Sequence, residues 1–327
     1  MGDREALDTE IPGQIRMNAL VQDKTLPKVS VCVITYNQEL YIADCLQSIV
    51  AQKTDFRFEV IVSDDGSKDK TPEIITKFQR DYPDIIVPIL HSENFGLPTR
   101  NYLCAHNAAR GKYIAHFDGD DLMFTGKLQK QADFLDRHPD YAVVWHRMFK
   151  FKDEQLSGLL QIDTDENEDF ITYNLKDIVH LGCVAGHSST MYRSEVRVTR
   201  ETTRDIYDWM FYIEFLSKSS AAVMKQYLGG YRYNSAGSIS TGSMASLTKG
   251  VMSSHVMKVY CRYPNFRKEL FMASLLRLLV NLKNRKIPCV GDLKAIYKTF
   301  VLISPIEFYR YYINVKGILS LNMKVVR

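Results

Sequence analysis

Short apolar runs alternate with amphipathic stretches over the first 120 or so residues of the chain. KVSVCVITYN (28–37) is a β-branched run with no charge after Lys28, which is typical of a strand covered on both faces. Further runs predict three more such strands, at 58–71, where the strand leads into a Gly/Ser/Asp turn, at 85–94 and at 112–118.

The gaps between these strands carry helical periodicity. In 40–52 the apolar residues recur at 42, 45, 46, 49 and 50, as on one face of a helix. Thr71 is the predicted N-cap of a helix over 72–83, which opens on a proline, and 97–110 is a predicted helix closed by a glycine. Strand–helix alternation with short connections predicts an α/β fold, in which a mostly parallel sheet is flanked by helices and ligands bind at the carboxyl ends of the strands.

The pattern weakens after residue 150. An acidic stretch at 152–170 predicts an exposed loop or hairpin, and strand-like sequence returns at 184–195. The apolar run at 207–219 predicts a helix, whereas the Gly/Ser-rich stretch at 227–242 predicts a mobile loop. From about residue 245 onward the sequence is helical and basic, most clearly at 268–286.

These changes of pattern divide the 327 residues into a tail (1–26), an α/β domain (27–245) and a helical basic C-terminal segment (246–327). A content of 46% hydrophobic and 24% charged residues is ordinary for a globular protein and argues against disorder. No apolar run reaches the length of about 18 residues that predicts a membrane span, and no signal-peptide pattern is found at the N-terminus. The 6 cysteines form no CxxC pair, which favours reduced thiols in the cytoplasm over disulfides or a zinc site.

Charge is distributed unevenly along the chain. Residues 249–327 hold 15 Lys and Arg against 3 Asp and Glu, a net charge of +12, so the remainder of the chain has a net charge of −8. A basic segment on an acidic body indicates an anionic partner surface, either a membrane or a nucleic acid. Because no RNA- or DNA-binding motif accompanies the charge, no nucleic-acid partner is predicted.

Polar residues follow three of the predicted strands, and these strand ends should share one edge of the sheet. They are Thr35 to Asn37, Asp64 to Ser67 and Asp118 to Asp121. Clustered carboxylates in the last of them suit Mg²⁺ or Mn²⁺, but a polar turn with a helix cap explains the same residues. Tyr36 is either a stacking platform for a base or an aromatic at the core edge, and Asp65 either binds a ribose or base or belongs to an ordinary loop.

The N-terminal part resembles the family-2 inverting glycosyltransferases of the GT-A fold. The resemblance lies in three blocks in register: VSVCVITYNQELYIADCLQSIVAQ, EVIVSDDGSKDKT and NFGLPTRNYLCAHNAARGKYIAHFDGDD. It covers about residues 28 to 135. It implies a Rossmann-like GT-A catalytic domain at 27–245, with a nucleotide-sugar-binding half (27–135) and an acceptor-binding half (136–245).

The resemblance also implies roles for individual residues. Tyr36 would stack on the uracil of the donor, Asp65 would bind the base, and Asp118 would lie towards the ribose. Asp120 would hold the metal ion that bridges both phosphates, and Asp121 would serve as a cap. Two further residues, Arg100 and Asn101, match positions near the donor phosphates or ribose.

An inverting transfer needs a general base, which the family carries in an acidic pair before an aromatic residue and an apolar helix. Here Asp208 precedes Trp209, while Tyr207 stands where Glu is common; Asp205, three residues upstream of Asp208, is the second candidate. Asp208 would also suit the N-cap of the helix, and the two roles are compatible.

YRYNSAGSIS resembles a loop that covers the donor diphosphate in the family. On this basis Arg232 and Ser240 are predicted phosphate contacts, and Asn234 stands where the family usually has His. GCVAGHSSTMYR falls where the acceptor wall normally lies, so His187 either contacts substrate or is a structural histidine.

Together these features predict transfer of a sugar from a UDP-sugar to a hydroxyl of a glycan or lipid-linked glycan acceptor, forming a β-glycosidic bond, with Mn²⁺ or Mg²⁺. The predicted enzyme is a hexosyl- or N-acetylhexosaminyltransferase of polysaccharide or surface glycan biosynthesis. A sugar-phosphate nucleotidyltransferase would need a Gly-rich loop after the first strand, which ITYNQELY lacks; a non-catalytic member that binds the sugar nucleotide is the other alternative. The sugar, the linkage and the oligomeric state stay open.

The basic C-terminal segment contains an apolar helical stripe at 271, 274, 275, 278, 279 and 282. Either this helix docks on the catalytic domain, or it lies on an anionic leaflet with its basic residues near the headgroups. The second alternative predicts a cytoplasmic protein that is peripheral on the inner face of the cytoplasmic membrane.

Overall fold

A computed structural model describes residues 26–152, 169–199, 208–233, 247–284 and 290–325. Its described strands form one ten-stranded sheet in the order β3-β2-β1-β4-β8-β6-β9-β5, with β7 paired to β9 and β10 to β6. The strands are β1 Val29–Thr35, β2 Phe58–Asp64, β3 Ile86–Leu90, β4 Tyr113–Asp118, β5 Leu122–Met123, β6 Tyr141–Phe151, β7 Phe170–Tyr173, β8 Met191–Arg193, β9 Ser220–Arg232 and β10 Met323–Val325.

Helices cover the sheet. They are α1 Ile42–Val50, α2 Thr71–Asp81, α3 Pro98–Ala108, α4 Lys127–Arg137, α5 Leu175–Leu181, α6 Asp208–Phe215, α7 Leu247–Arg262, α8 Arg267–Lys283, α9 Val290–Thr299 and α10 Pro305–Asn322. The α/β fold class with C-terminal helices is confirmed.

The first four strands are parallel, as predicted from the alternation of strands and helices with short connections. β1 pairs with β2 on one side and with β4 on the other, so the order of the strands reverses at β1. In this register Thr35 lies opposite Asp64, and Ile34 lies opposite Asp118. The carboxyl ends of the three strands therefore meet at the topological switch point, where ligands bind in such sheets.

The second half of the sheet is mixed. β8 pairs antiparallel with both β4 and β6, whereas β6 and β9 run parallel. The stretch 184–195 contributes only the three residues of β8, because a 3₁₀ turn at His187–Ser189 precedes them.

The predicted mobile loop at 227–242 is wrong for its first six residues, which form the end of β9. Gly229 and Gly230 pair there with β5, and a Cβ on Gly229 would lie 3.1 Å from both the Leu122 carbonyl oxygen and the His146 ring. The glycines thus permit close approach of neighbouring backbone inside a sheet. Residues 234–242 lie outside the described residues, as does most of the predicted acidic loop.

Helix α2 begins one residue earlier than predicted, because Thr71 is its first residue and not its N-cap. The Thr71 hydroxyl accepts the backbone N–H of Gln38 at 2.9 Å instead. It therefore ties the loop that follows β1 to the start of α2, at the edge where the strand ends meet.

The C-terminal segment packs on the α/β domain. Leu270, Phe271 and Ser274 of α8 are buried, which favours docking over a membrane-bound stripe for the first half of this helix. The chain then returns through α10 to β10, which adds a strand to β6, and Asn322 Nδ2 donates to the Val184 carbonyl at 2.7 Å. Within the described residues, none of the helices combines the length and the apolar character needed to cross a bilayer.

Candidate active site

The carboxyl ends of β1, β2 and β4 lie side by side at one edge of the sheet, as predicted. Backbone N–H groups of Asp65 and Gly119 donate to the carbonyls of Thr35 and Ile34, each at 3.0 Å, so the turns after β2 and β4 both rest on the end of β1. A Cβ on Gly119 would lie 2.5 Å from Gln38 Oε1 and 2.9 Å from Thr35 Cβ. The acidic turn can therefore sit against β1 only because this residue is glycine.

Tyr36 stands at the rim of this edge with 44% of its surface exposed. The next residue, Asn37, has a left-handed backbone (φ 49°), and its side chain accepts the N–H of Lys68 at 2.9 Å. Its own N–H donates to the Ser67 hydroxyl at 2.7 Å. The loop after β1 is thus tied to the loop after β2, which presents the Tyr36 ring to solvent as a surface on which a base could stack.

The Asp65 carboxylate is buried beneath this rim. It accepts the backbone N–H of Phe95 at 2.9 Å and the Asn94 side-chain amide at 3.0 Å. Burial raises the pKa of Asp65, although the Phe95 hydrogen bond and the nearby His91 oppose the increase. Asp65 therefore orders the loop before α3, and its role towards a base stays a prediction.

Arg100 and Asn101 are neighbours on α3 in different surroundings. Arg100 is exposed, whereas Asn101 is buried. Asn101 Nδ2 donates to the Ser63 carbonyl at 2.9 Å, and its Oδ1 accepts the Ser63 hydroxyl at 2.5 Å. These hydrogen bonds fasten α3 to β2, so in this structure Asn101 holds the end of β2 in place. The predicted contacts of Arg100 and Asn101 with the sugar donor stay predictions.

Asp118 is held from two sides at the end of β4. Its Oδ1 lies 3.1 Å from His116 Nε2, its Oδ2 accepts the Ser188 hydroxyl at 3.3 Å, and its backbone N–H donates to Ser188 Oγ at 3.0 Å. Burial alone would raise the pKa of Asp118, but the His116 hydrogen bond, followed by electrostatic attraction to His116 and His187 and by the Ser188 bond, lowers it to about 2. Asp118 is therefore a carboxylate at any physiological pH.

Asp121 is not a helix cap, contrary to the expectation. Strand β5 follows it, and α4 starts only at Lys127 after Gly126 in a left-handed conformation (φ 82°), with no side-chain cap from the described part of the chain. Asp121 Oδ1 accepts the backbone N–H of Arg232 at 2.9 Å, and its buried Oδ2 has no hydrogen-bond partner among the described residues. Burial, then the charges of Asp120 and Asp118, raise the pKa of Asp121 well above its usual value.

Arg232 supports the acidic turn from behind. The residue is only 4% exposed, and its Nε donates to the Asp120 carbonyl at 2.8 Å. The guanidinium lies over the rings of Tyr41 and Phe151, 4.8 Å and 4.7 Å from their centroids. Arg232 thus brings a buried positive charge beside a cluster of carboxylates, and the predicted phosphate contact stays a prediction.

The structure brings the predicted base to the same edge. Asp208 is the first residue of α6, its side chain is 44% exposed, and its Oδ1 lies 3.5 Å from His187 Nδ1. The His187 ring packs on the His116 ring, with 3.7 Å between centroids, and His116 in turn contacts Asp118. Two histidines therefore connect Asp208 to the acidic turn; Asp205, Tyr207, Asn234 and Ser240 lie outside the described residues.

Sequence reasoning missed a buried aromatic and histidine cluster beneath the site. His106 Nε2 lies 3.0 Å from His116 Nδ1, and His106 Nδ1 lies 2.6 Å from the Tyr192 hydroxyl. Burial, followed by the charge of His187, lowers the pKa of His116 to about 4, so its ring is neutral at pH 7. The available signal was His116 itself, a polar residue inside the apolar strand YIAHFD.

The acidic turn suits the divalent ion that the GT-A fold implies. Asp120 is partly exposed beside Asp118 and the buried Asp121, and repulsion among these carboxylates contributes to the raised pKa of Asp121, so a bound cation would stabilise their charged forms. The turn alone does not gather three ligand atoms among the described residues. This matches an ion held by one or two carboxylates and completed by phosphate oxygens of a substrate.

Comparison with known proteins shows which sequence family the chain matches. The family model of glycosyl transferase family 2 matches residues 30–197, just over half of the chain. An uncharacterized protein of Mycobacterium tuberculosis is 44% identical over 119 residues, which is 36% of this chain and 34% of that protein. EpsE of Bacillus subtilis, named as a glycosyltransferase, is 38% identical over 133 residues, 40% of this chain and 47% of EpsE. The chain thus matches about a third to a half of the length of these relatives.

Solved structures share the fold at low sequence identity. Staphylococcus aureus TarS 1–349 in complex with UDP-GlcNAc superposes with a TM-score of 0.51 at 18% identity, over 90% of this chain and 81% of that chain. The mannosyltransferase PcManGT of Pyrobaculum calidifontis, in complex with GDP-Man and Mn²⁺, superposes with a TM-score of 0.52 at 16% identity, over 91% of this chain and 73% of that chain. The fold is therefore the one that these two proteins have.

Proposed function

The chain belongs to glycosyl transferase family 2, and from this premise we propose that it is an inverting glycosyltransferase that moves a hexosyl or N-acetylhexosaminyl group from a UDP-sugar to a hydroxyl of a glycan or lipid-linked acceptor. The observation that carries the proposal is the placement of Asp208. Asp208 contacts His187, which packs on His116, and His116 contacts Asp118. All of them lie at the sheet edge that also holds Tyr36 and Asp65. A base and a nucleotide-binding surface on one sheet edge are what a direct displacement needs.

In the proposed reaction, Asp208 takes the proton of the acceptor hydroxyl while the oxygen attacks the anomeric carbon. The bond between that carbon and the UDP oxygen breaks on the opposite face, so an α-linked donor yields a β-glycosidic bond. Asp208 suits this role because its carboxylate is partly exposed and reachable by an acceptor. Asp120 would hold Mn²⁺ or Mg²⁺, which when bound stabilises the charge of the departing diphosphate.

The nucleotide side of the site is assigned to residues around β1 and β2. Tyr36 would stack on uracil and Asp65 would accept a base N–H with a lone pair that its bonds to Phe95 and Asn94 leave available. Arg100, Asn101, Arg232 and Ser240 are the proposed contacts to ribose and phosphates. UDP-GlcNAc in the TarS structure supports a uridine nucleotide, and Mn²⁺ in the PcManGT structure supports the choice of ion.

The test is a donor screen with Mn²⁺ that follows release of nucleoside diphosphate, first with wild type and then with variants. Asp208→Asn should bind the donor with unchanged affinity and lose transfer, because only the proton acceptor is removed. Asp120→Ala should lose Mn²⁺-dependent donor binding. Asp84→Asn, which changes an exposed carboxylate outside the site, is the matched control. Full transfer by Asp208→Asn would refute the assignment of the base, and donor binding with no transfer to any acceptor would favour a non-catalytic member.

We further propose that the C-terminal segment rests on an anionic membrane surface from the cytoplasmic side, where polysaccharide and surface glycan precursors would be extended. Helix α9 buries its more polar face and exposes its apolar face. Asp292, Ala295 and Thr299 are buried, whereas Leu293 and Tyr297 are exposed. The buried Asp292 accepts the Ser253 hydroxyl at 2.6 Å and lies 3.2 Å from an Arg277 nitrogen. Its polar face is thus satisfied inside the protein while its apolar face meets solvent.

The exposed apolar surface continues from α9 into α10. It includes Tyr297, which is 77% exposed, and Leu302, which is 87% exposed; its other members are Val290, Leu293, Phe300, Ile306, Tyr309 and Ile313. Lys294, Lys298 and Arg310 are exposed beside it, and Glu307, the other acidic residue of this stretch, is paired with Lys268 at 2.5 Å. Aromatic and aliphatic groups flanked by cations fit the interface of an anionic bilayer, whereas two copies of so basic a face would repel each other.

Co-sedimentation with vesicles tests this surface. Wild type should bind vesicles that contain phosphatidylglycerol, should bind pure phosphatidylcholine much less, and should be released by salt. Lys294→Glu/Lys298→Glu should abolish binding, whereas the control Lys53→Glu/Lys77→Glu, with two exposed lysines of the α/β domain, should not. Concentration-dependent dimerisation that buries the same face, or equal binding by both double variants, would refute the proposal.

A further inference from the structure

We infer that His116, Asp118 and His187 form a second cation site, distinct from the one assigned to Asp120, which takes a transition metal with a preference for imidazole. Among the described residues, these three side chains are the one group whose ligand atoms, one per residue, all lie within 4.8 Å of one another. The site lies between the strand end of β4 and the base on α6, and the proposed transfer reaction gives neither histidine a chemical step.

The spacing of two of the ligands already matches a shared ion. His116 Nε2 and Asp118 Oδ1 are 3.1 Å apart. Two ligands at about 2.1 Å from one ion and at right angles or a tetrahedral angle are separated by roughly 3.0–3.4 Å. The third ligand atom, on His187, lies within 4.8 Å of the other two, and the His187 ring packs against the His116 ring at a 30° angle.

Both histidines have a second partner for the ring nitrogen that would not bind metal. His116 Nδ1 faces His106 Nε2 at 3.0 Å, and His187 Nδ1 faces Asp208 Oδ1 at 3.5 Å. Metal-binding histidines in proteins nearly always have such a partner, which fixes the tautomer and orients the ring. For His116 to bind through Nε2, its Nδ1–H donates to His106, whose own Nδ1–H then donates to the Tyr192 hydroxyl at 2.6 Å. Both of these buried bonds are kept, and the metal replaces the hydrogen bond between His116 Nε2 and Asp118.

The donor set decides the class of metal. Two imidazoles and one carboxylate favour Zn²⁺, Co²⁺ or Ni²⁺, whereas Mg²⁺ prefers oxygen ligands throughout. An ion at this site would use Asp118 as a ligand, and only the His187 ring would separate it from Asp208. If the proposed transfer reaction is correct, on which this consequence alone rests, such an ion inhibits it by occupying the ribose-side carboxylate.

Cobalt(II) titration of the full-length protein tests the site without any assay of activity. We expect one equivalent of Co²⁺ to bind and to give visible absorption bands, with Zn²⁺ but not Mg²⁺ displacing it. His187→Ala should weaken binding by more than about tenfold, judging from what loss of even an outer partner costs. The control His138→Ala changes a histidine that follows the C-terminal end of α4, away from this group, and should bind like wild type.

One further variant, compared with His187→Ala, separates this site from the proposed function. Asp120→Asn should lose Mn²⁺-dependent UDP binding and keep the Co²⁺ bands, whereas His187→Ala should do the reverse, with circular dichroism confirming that both variants are folded. Absence of stoichiometric Co²⁺ binding, or loss of the bands in Asp120→Asn but not in His187→Ala, would overturn the inference. Either result leaves the glycosyltransferase proposal intact, because that proposal is judged by the donor screen.

Discussion

Gly119 is the residue that should tolerate substitution least in the acidic turn, although a single methyl group is the smallest change possible. In Gly119→Ala the new Cβ would lie 2.9 Å from Thr35 Cβ, where ordinary van der Waals contact begins at 3.4 Å, and 2.5 Å from Gln38 Oε1. Gln38 can swing away, but it would then give up the hydrogen bond that it accepts from the Thr35 hydroxyl at 2.8 Å. Thr35 cannot move in the same way, because it is the last residue of the central strand.

The expected cost follows from these contacts. Overpacking of this kind typically destabilises a protein by about 1–3 kcal/mol. Relief of the clash would shift the turn by half an ångström or more, and a displacement of about 1 Å at a reacting group can lower the rate roughly 100-fold. Gly119→Ala should therefore lose more activity than stability, because the displaced turn carries Asp118 and Asp120.

Urea unfolding and UDP binding with Mn²⁺ measure the two effects separately. The matched control is Gly317→Ala on α10, where an added Cβ meets no atom of the described residues within 4 Å. Removal of a helical glycine should stabilise that variant by up to about 1 kcal/mol and leave UDP binding unchanged. If Gly119→Ala unfolds within about 0.5 kcal/mol of wild type and binds UDP normally, the close packing of this turn on β1 is wrong.

Three other substitutions test parts of the fold that support the site. Lys127 is fully buried, which lowers its pKa to about 7. Because the unfolded chain therefore holds the Lys127 proton more tightly than the folded protein, the free energy of unfolding should rise from pH 7 to 10, by at most about 1.4 kcal/mol per pH unit. In urea titrations Lys127→Met should flatten this rise and be more stable than wild type at pH 7. Asn101→Leu should cost about 1–3 kcal/mol, because the Ser63 carbonyl loses its buried donor, and an unchanged urea midpoint would contradict the latch between α3 and β2. Trp209→Phe removes the 2.8 Å hydrogen bond from the indole N–H to the Ile178 carbonyl, beneath the helix that carries Asp208. We expect this variant to lose about 1 kcal/mol of stability and to have a lower kcat with unchanged donor affinity. A lower donor affinity would contradict this expectation.

Local sequence determined the N-terminal half of this protein. Short apolar runs, helical periodicity and short connections are properties of neighbouring residues, so they predict the parallel strands β1 to β4 and the helices between them to within a few residues. Because parallel strands share one carboxyl edge, the same pattern also brings Tyr36, Asp65 and Asp118 to one place. These features could be predicted because periods of 2 and 3.6 residues are fixed by backbone geometry.

Tertiary structure alone decided what each polar side chain does at that edge. Asp121 became the partner of Arg232 because antiparallel pairing of β5 with β9 brings together residues separated by 111 positions. Asp208 meets Asp118 only through His187 and His116, which belong to different elements. The same is true of α9, whose apolar face would ordinarily be predicted to lie inward; its buried face is polar because Ser253 and Arg277 on two other helices satisfy Asp292. Pairings between distant residues depend on how the elements pack, and no local period encodes them.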